Sequence, residues 1–335
     1  LNIMNKAGQS EKLPLRTKLF YGIGDLGNAT VNSAIQFFLM KFYTDGALVS
    51  SALAGNALLI GKIWDAINDP LFGWFTDRTK SRHGKRRVFM LFGAIPLAIA
   101  IALLWFVPVA DLIWTFVWIA LTFVLFDTIW TLTNVPYYAL TSELTDNYDE
   151  RSSLTTYRMA MAVPAYLVGA ALTPAIVGLF ALPRTGYAFI GIAYGLLAAV
   201  ALLISAAGLR ERSELAVAKP EPSPFRSLFI AFKNRPFVWL CGTYFVINLS
   251  FAFIKILMAY YIEYQLLMKA ETTLVMGLML ICVTISLPFW QWVSRKMDKG
   301  PAYGLGMAVG ALAVVLTFFL PHQSTGLIYI VSVLA

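Results

Sequence analysis

Trp64-Asp65-Ala66-Ile67-Asn68-Asp69-Pro70 places two carboxylates inside a long apolar stretch. In a membrane helix each carboxylate costs roughly 2.5–3.5 kcal/mol to insert, so a pair of them asks for a partner. The i, i+4 spacing brings both acids to within about 40° of one another on one helical face, about one turn apart. Side-by-side hard oxygen donors of one sign make half of a site for a hard cation. Lys62 precedes Asp65 by three residues and offers the rival reading of an internal ion pair. One lysine compensates less charge than two acids carry, so the cation site is preferred, with a proton as an alternative occupant.

The elements that hold these residues are membrane helices. The 335 residues are 59% hydrophobic and 13% charged, against the roughly 25% charged residues of soluble domains. Apolar segments of about 20 residues recur, the length that crosses ~30 Å of hydrocarbon as helix, without the ten-residue alternation of a membrane barrel. The expected fold is an all-α membrane protein. Spans are expected at 19–43, 50–76, 88–108, 112–140, 152–180, 187–209, 237–262, 272–294 and 301–320, with part of a tenth from 325. That last stretch reaches Ala335 without the charges that close the others, so further spans are expected beyond it.

Orientation follows from the lysines and arginines. One side carries Lys6, Lys12, Arg16 and Lys18, six bases within 77–87, Arg151, six more in 210–236, and Arg295, Lys296 and Lys299; the other has Arg184, Lys269 and, at a span end, Lys41. The amino terminus is therefore expected in the cytoplasm as an uncleaved tail, and the net charge of +8 reads as topology rather than nucleic-acid binding. Cys241 and Cys282 lack the spacing of a metal or disulfide motif. No Ser/His/Asp set, metal cluster or phosphate-binding loop is present, which argues against an enzyme.

The charged connection 210–236 also contains Pro220, Pro222, Pro224 and Pro236, a linker composition following the sixth span. It divides an amino-terminal half, 1–209, from a carboxy-terminal half, 237–335, each expected as a six-helix unit with the second incomplete here. A repeat supports this division: Pro70-Leu71-Phe72-Gly73-Trp74-Phe75-Thr76-Asp77-Arg78 ends the second span and Pro288-Phe289-Trp290-Gln291-Trp292-Val293-Ser294-Arg295-Lys296 ends the eighth. Parallel repeats of this kind occur in transporter folds with midplane sites. In this register Asp69 corresponds to Leu287, which assigns the ion chemistry to the first half.

Tyr21-Gly22-Ile23-Gly24-Asp25, the Trp64–Pro70 signature, and Gly73 through Arg87 resemble the glycoside-pentoside-hexuronide:cation symporters of the major facilitator superfamily. The resemblance continues through Asn134-Val135-Pro136-Tyr137-Tyr138, Tyr157-Arg158 and Arg235-Pro236-Phe237. It implies a major facilitator-type bundle with Na⁺, Li⁺ or H⁺ held by Asp65 and Asp69, helped by Asn68 and Thr131, and no other cofactor. It further implies that a sugar contacts Asp25, Arg158, Asn134 and Tyr138. Asn134 stands where the family's sugar-transporting pattern has an acid, Tyr138 where it has tryptophan, and Gly24 where it has a base, so the sugar set is partly changed.

Lys255, deep in the seventh span, suits an anionic solute such as a uronide if it faces the cavity; snorkelling is its bland alternative. Asp127, one heptad before Asn134, has no role carried over. Asp77, Arg78, Arg86 and Arg87 are expected to form gating ion pairs at a span end, and His83 and His322 are ordinary loop residues. Gly22, Gly24, Gly27, Gly55, Gly61 and Gly73 are expected to be helix-packing positions. The function expected is cation-coupled symport of a sugar, glycoside or uronide by alternating access. The chain is expected to act as a monomer in the plasma (cell inner) membrane, in contact with lipid. Alternatives are a lysolipid transporter of the same fold and a non-transporting receptor.

Overall fold

The computed structural model describes residues 12–79, 81–82, 84–108, 111–211, 232–265 and 299–317, with isolated positions between 278 and 298. Among the described residues every regular element is a helix. The eighth and tenth spans, the Asp69–Leu287 comparison, linker residues 212–231, Lys80, His83 and His322 lie outside them.

The helices are α1 (Leu15–Ala34), α2 (Ser51–Arg78), α3 (Arg87–Leu104), α4 (Leu112–Leu144), α5 (Tyr148–Val177), α6 (Pro183–Gly208) and α7 (Arg235–Tyr260), and a further helix covers Lys299–Thr317. Their starts follow local chemistry. Ser50 accepts from the Leu53 N–H, Asp111 from Trp114, and Asn147 from Asp149 and Glu150, while α6 opens on Pro183. These are the side chains and the proline that satisfy orphaned amides at a helix start. Four helices, α3 through α6, contain stretches long and apolar enough to cross a membrane. With 20 and 28 residues, α1 and α2 match them in length but are more polar, because they carry the candidate acids.

Side-chain size sets how these helices meet. Helix α1 packs against α5 and α6, α2 against α4, and α3 against α4 and α6. A Cβ at Gly27 would lie 2.5 Å from the Ala198 Cα, so only glycine lets α1 approach α6 this closely. Gly24 is closed by Tyr137 and Gly61 by Phe123 in the same way, and Gly22 meets α5. Gly55 and Gly73 differ from expectation: a Cβ on either would meet nothing within 4 Å. Their place on the helix faces away from any described neighbour.

The first span does not stop at 43. Helix α1 runs on through π turns at Ile35–Leu39 and Phe42–Gly46, and α7 continues into a π turn at Tyr261–Gln265. Phe42 packs against both Trp105 and Tyr187, whose rings stack on each other 5.4 Å apart at an interplanar angle of 4°. All three are buried, which anchors this end of α1 against α3 and α6.

The close approach at Gly27 makes a contrast that can be measured. Gly27→Ala is expected to destabilise the purified protein by about 1–3 kcal/mol through overpacking, whereas Gly55→Ala stays within about 0.5 kcal/mol. Thermal unfolding in detergent, followed by size exclusion, checks this; equal midpoints for the two variants would contradict the packing.

Candidate functional site

Helices α2 and α4 share a seam of polar contacts. The Trp64 indole N–H donates to Thr128 Oγ1 at 2.8 Å, and Thr131 Oγ1 donates to Asp69 Oδ1 at 2.8 Å. Between them, Asn68 Nδ2 donates to both the carboxylate and the backbone carbonyl of Asp127, each at 3.3 Å. Lys62 pairs with Asp65 at 3.0 Å, as the spacing of the two residues anticipates. The four residues expected at the cation site, Asp65, Asn68, Asp69 and Thr131, thus lie along one seam. Asp69 is directly joined to Thr131, Asn68 to Asp127 instead, and Asp65 is held by lysine.

A second polar group lies where α1, α4 and α5 meet. The Tyr138 hydroxyl donates to Asp25 Oδ1 at 3.3 Å, and the Arg158 guanidinium stands 3.5 Å from the other Asp25 oxygen and 4.9 Å from the Tyr138 ring centroid. At 3.5 Å the ion pair is looser than a charge-assisted hydrogen bond. Tyr21 shares a 2.6 Å hydrogen bond with Thr141, and its backbone carbonyl accepts from the buried Tyr137 hydroxyl. The Asn28 amide donates to Asn134 Oδ1, and Asn134 donates to the Trp130 carbonyl. Asp25, Arg158 and Tyr138 therefore come together, while Asn134 is engaged one turn away with α1. Lys255 lies within α7 by its backbone; its side chain is outside the described atoms.

Helix α4 connects the two groups. Thr131, Asn134 and Tyr138 follow at i, i+3 and i+7, so the seam with α2 and the group facing α1 sit within about 10 Å along a single helix axis. A rigid element that touches both is what two binding events need to influence each other.

At the basic end of the bundle, Arg86 donates to Asp77 at 2.8 Å and also bonds Glu143 of α4. The Glu211 carboxylate accepts the backbone N–H groups of Lys85, Arg86 and Arg87 at the start of α3, where Gly84 has φ 101°. A carboxylate over orphaned helix-start amides is a favourable pairing, and the positive φ suits glycine. Arg87 turns to the Ala206 carbonyl and Arg78 stacks on Trp74 of its own helix, 3.8 Å from the ring centroid. The expected gating set thus divides: Asp77 and Arg86 are ion-paired, and Arg78 and Arg87 have other partners. All of the named contacts lie within residues 74–211, so the cluster braces one half.

The opposite end joins the halves. Lys41 pairs with Glu263, Thr44 shares a 2.8 Å hydrogen bond with the Tyr260 hydroxyl, and the Tyr264 hydroxyl donates to Asp45 at 3.0 Å. Numbered from Lys41 and from Tyr260, the first position of each hexapeptide meets the fourth of the other, and the fifth meets the fifth. Such reciprocity marks a two-fold relation between the contacting segments.

Sequence reading missed Glu143, Glu211 and this reciprocal contact, whose partners lie far apart in the chain. Asp127 carried a signal, a lone acid deep in an apolar span, but its partner Asn68 is 59 residues away.

Comparison with known proteins supplies the family. A family described as "MFS/sugar transport protein" matches residues 20–335. The uncharacterized symporter sll1374 of Synechocystis sp. is 38% identical over 224 residues, covering 65% of this chain and 41% of that protein. Sodium-dependent lysophosphatidylcholine symporter 1 of Gallus gallus is 28% identical over 361 residues, covering 97% of this chain and 68% of its own length. A protein of Escherichia coli named as a glycoside/cation symporter, YagG, is 35% identical over 156 residues, covering 47% of this chain and 34% of its own. The chain spans less than half the length of the first of these relatives.

The contact between α1 and α7 is open to a charge-swap test. Lys41→Glu and Glu263→Lys are each expected to lower the thermal midpoint, and the double variant to recover most of the loss, with a coupling of about 1–3 kcal/mol. Additive losses would show that the two side chains do not meet.

Proposed function

The chain belongs to the MFS/sugar transport family, and from that premise we propose that it is a secondary symporter moving a sugar, glycoside or uronide together with Na⁺ by alternating access. The observation that carries the reading is the α2–α4 seam. It sets Asp65 and Asp69 one turn apart with Thr131 on Asp69, on the helix that also bears Asn134 and Tyr138. Oxygen donors suit a hard cation, and Na⁺ is favoured because relatives matching most of the chain are named sodium-dependent. Li⁺ and H⁺ are competing occupants of the same site.

The solute reading rests on Asp25, Tyr138 and Arg158. A carboxylate, a phenol and a planar guanidinium offer acceptors and forked donors to vicinal hydroxyls, and the 3.5 Å ion pair leaves both partners with capacity to spare. Arg158 also suits a uronide carboxylate. Similarity to a protein named as a glycoside/cation symporter favours this class. A second reading, a lysolipid in place of a sugar, is kept because several relatives that match along nearly the whole chain are named lysophosphatidylcholine symporters.

In this account the chain lies in the plasma membrane with its basic end in the cytoplasm, following the lysine and arginine bias. The α1–α7 contact then closes the outer side. Cation and solute each raise the other's affinity through α4.

Proteoliposomes containing the full-length protein and challenged with a panel of sugars, uronides and lysophosphatidylcholine, with and without an inward Na⁺ gradient, test both cargo and coupling. Na⁺-stimulated uptake of a sugar or uronide is expected, and Asp69→Asn abolishes the stimulation. Uptake of lysolipid alone favours the second reading; undiminished stimulation in Asp69→Asn contradicts the site.

A further inference from the structure

Asp127 is a carboxylate that the proposed symport site does not use. It lies on α4, 3% exposed, and faces Asn68, which is fully buried at 0%. The Asn68 amide donates twice to this one residue, to its carboxylate and to its carbonyl. An ionised carboxylate and a carbonyl are acceptors only, so Asp127 dictates which way the Asn68 amide turns. The NH₂ goes to Asp127. Asn68 Oδ1 is left as a buried acceptor with no hydrogen-bond partner among the described residues.

A buried carbonyl oxygen without a donor is unfavourable, so it calls for a partner. Here it sits on the α2 turn that carries Asp65 and Asp69, where a cation held by those acids would satisfy it. Charge leads to the same place. Asp127 interacts with both Asp65 and Lys62, and Asp69 with the same two groups, so among the described residues three acids share one lysine. Clustered carboxylates of this kind are eased by an added positive charge, either a proton or a cation.

We infer that Asp127 is a positioning residue of the cation site: it fixes the Asn68 amide so that Oδ1 is presented to the ion, and its charge strengthens that ligand from behind. Outer partners of this kind orient a ligand and tune its basicity, and their loss commonly weakens metal affinity about 10–100-fold. The inference rests on the symport reading above. It adds to that site a residue of α4 that acts through Asn68.

The test is equilibrium binding of ²²Na⁺ to the purified full-length protein, with choline replacing Na⁺ in the background. Asp127→Leu removes the acceptors of the side chain, and Asp127→Asn keeps its size and one acceptor while removing the charge. Asp127→Leu is expected to weaken Na⁺ binding about 10–100-fold, with a smaller loss for Asp127→Asn and unchanged thermal midpoints in choline. In an Asn68→Ala background, where nothing is left to position, either change has an effect of less than about twofold. Unaltered Na⁺ affinity in Asp127→Leu and Asp127→Asn overturns the inference. So does an undiminished loss in the Asn68→Ala background, because Asp127 would then act independently of Asn68. Wild-type protein that binds neither Na⁺ nor Li⁺ overturns the symport reading itself, and this inference with it. Saturable wild-type binding isolates the outcome to Asp127.

Discussion

A carboxylate in a membrane helix has to be answered by charge or by hydrogen-bond donors, and in this protein the answer is supplied across the contact of α2 and α4. Thr131 reaches Asp69, Asp127 takes the Asn68 amide, and Thr128 takes the Trp64 indole. The helices must lie close for hydroxyl and amide groups to meet. Gly61, which would collide with Phe123 if it carried a Cβ, lets them do so. Packing by small residues and satisfaction of polar groups are thus one constraint, and the position of every candidate site residue on α4 follows from it.

About two turns along nearly the same face of this helix, Tyr138 meets Asp25 beside Arg158. Thr131 and Tyr138 are about two turns apart on one continuous helix, with Pro136 between them, so a change in how α2 grips α4 has a path to the group that faces α1. That is a physical route for coupling without any flexible relay. The brace at the basic end, built from Asp77, Arg86, Glu143 and Glu211, ties α2, α3, α4 and the end of α6 into one body. Contacts between the halves among the described residues concentrate instead at the far end of α1 and α7, where π turns on both helices flank the reciprocal contact. A body that moves as a unit and a small contact that can break are the parts that rocking of one half against the other requires.

Much of this was legible in the sequence where the determining relation is local. Apolar length located six of the first seven helices to within about four residues at each end, and the i, i+4 acids named the α2 face. The carbon skeleton of the site was therefore visible before any contact was known. What was hidden depends on cross-helix registry. Asn68 finds Asp127 and Arg86 finds Glu143 over separations of 59 and 57 residues, which no periodicity encodes. Gly55 and Gly73 look like Gly27 in sequence and differ only in having no described neighbour. The first span overran its expected end at 43 because a π turn carries the helix on to Gly46.

The central claim is that the seam on α2 and the group on α1 and α5 are linked through α4. Its most direct test is reciprocal equilibrium binding on the full-length protein: the Na⁺ dissociation constant with and without saturating solute, and the solute constant with and without saturating Na⁺. The account predicts that each ligand tightens the other by one and the same factor, about 5–150-fold for a coupling of 1–3 kcal/mol. Na⁺ and solute that bind with constants independent of one another would contradict it.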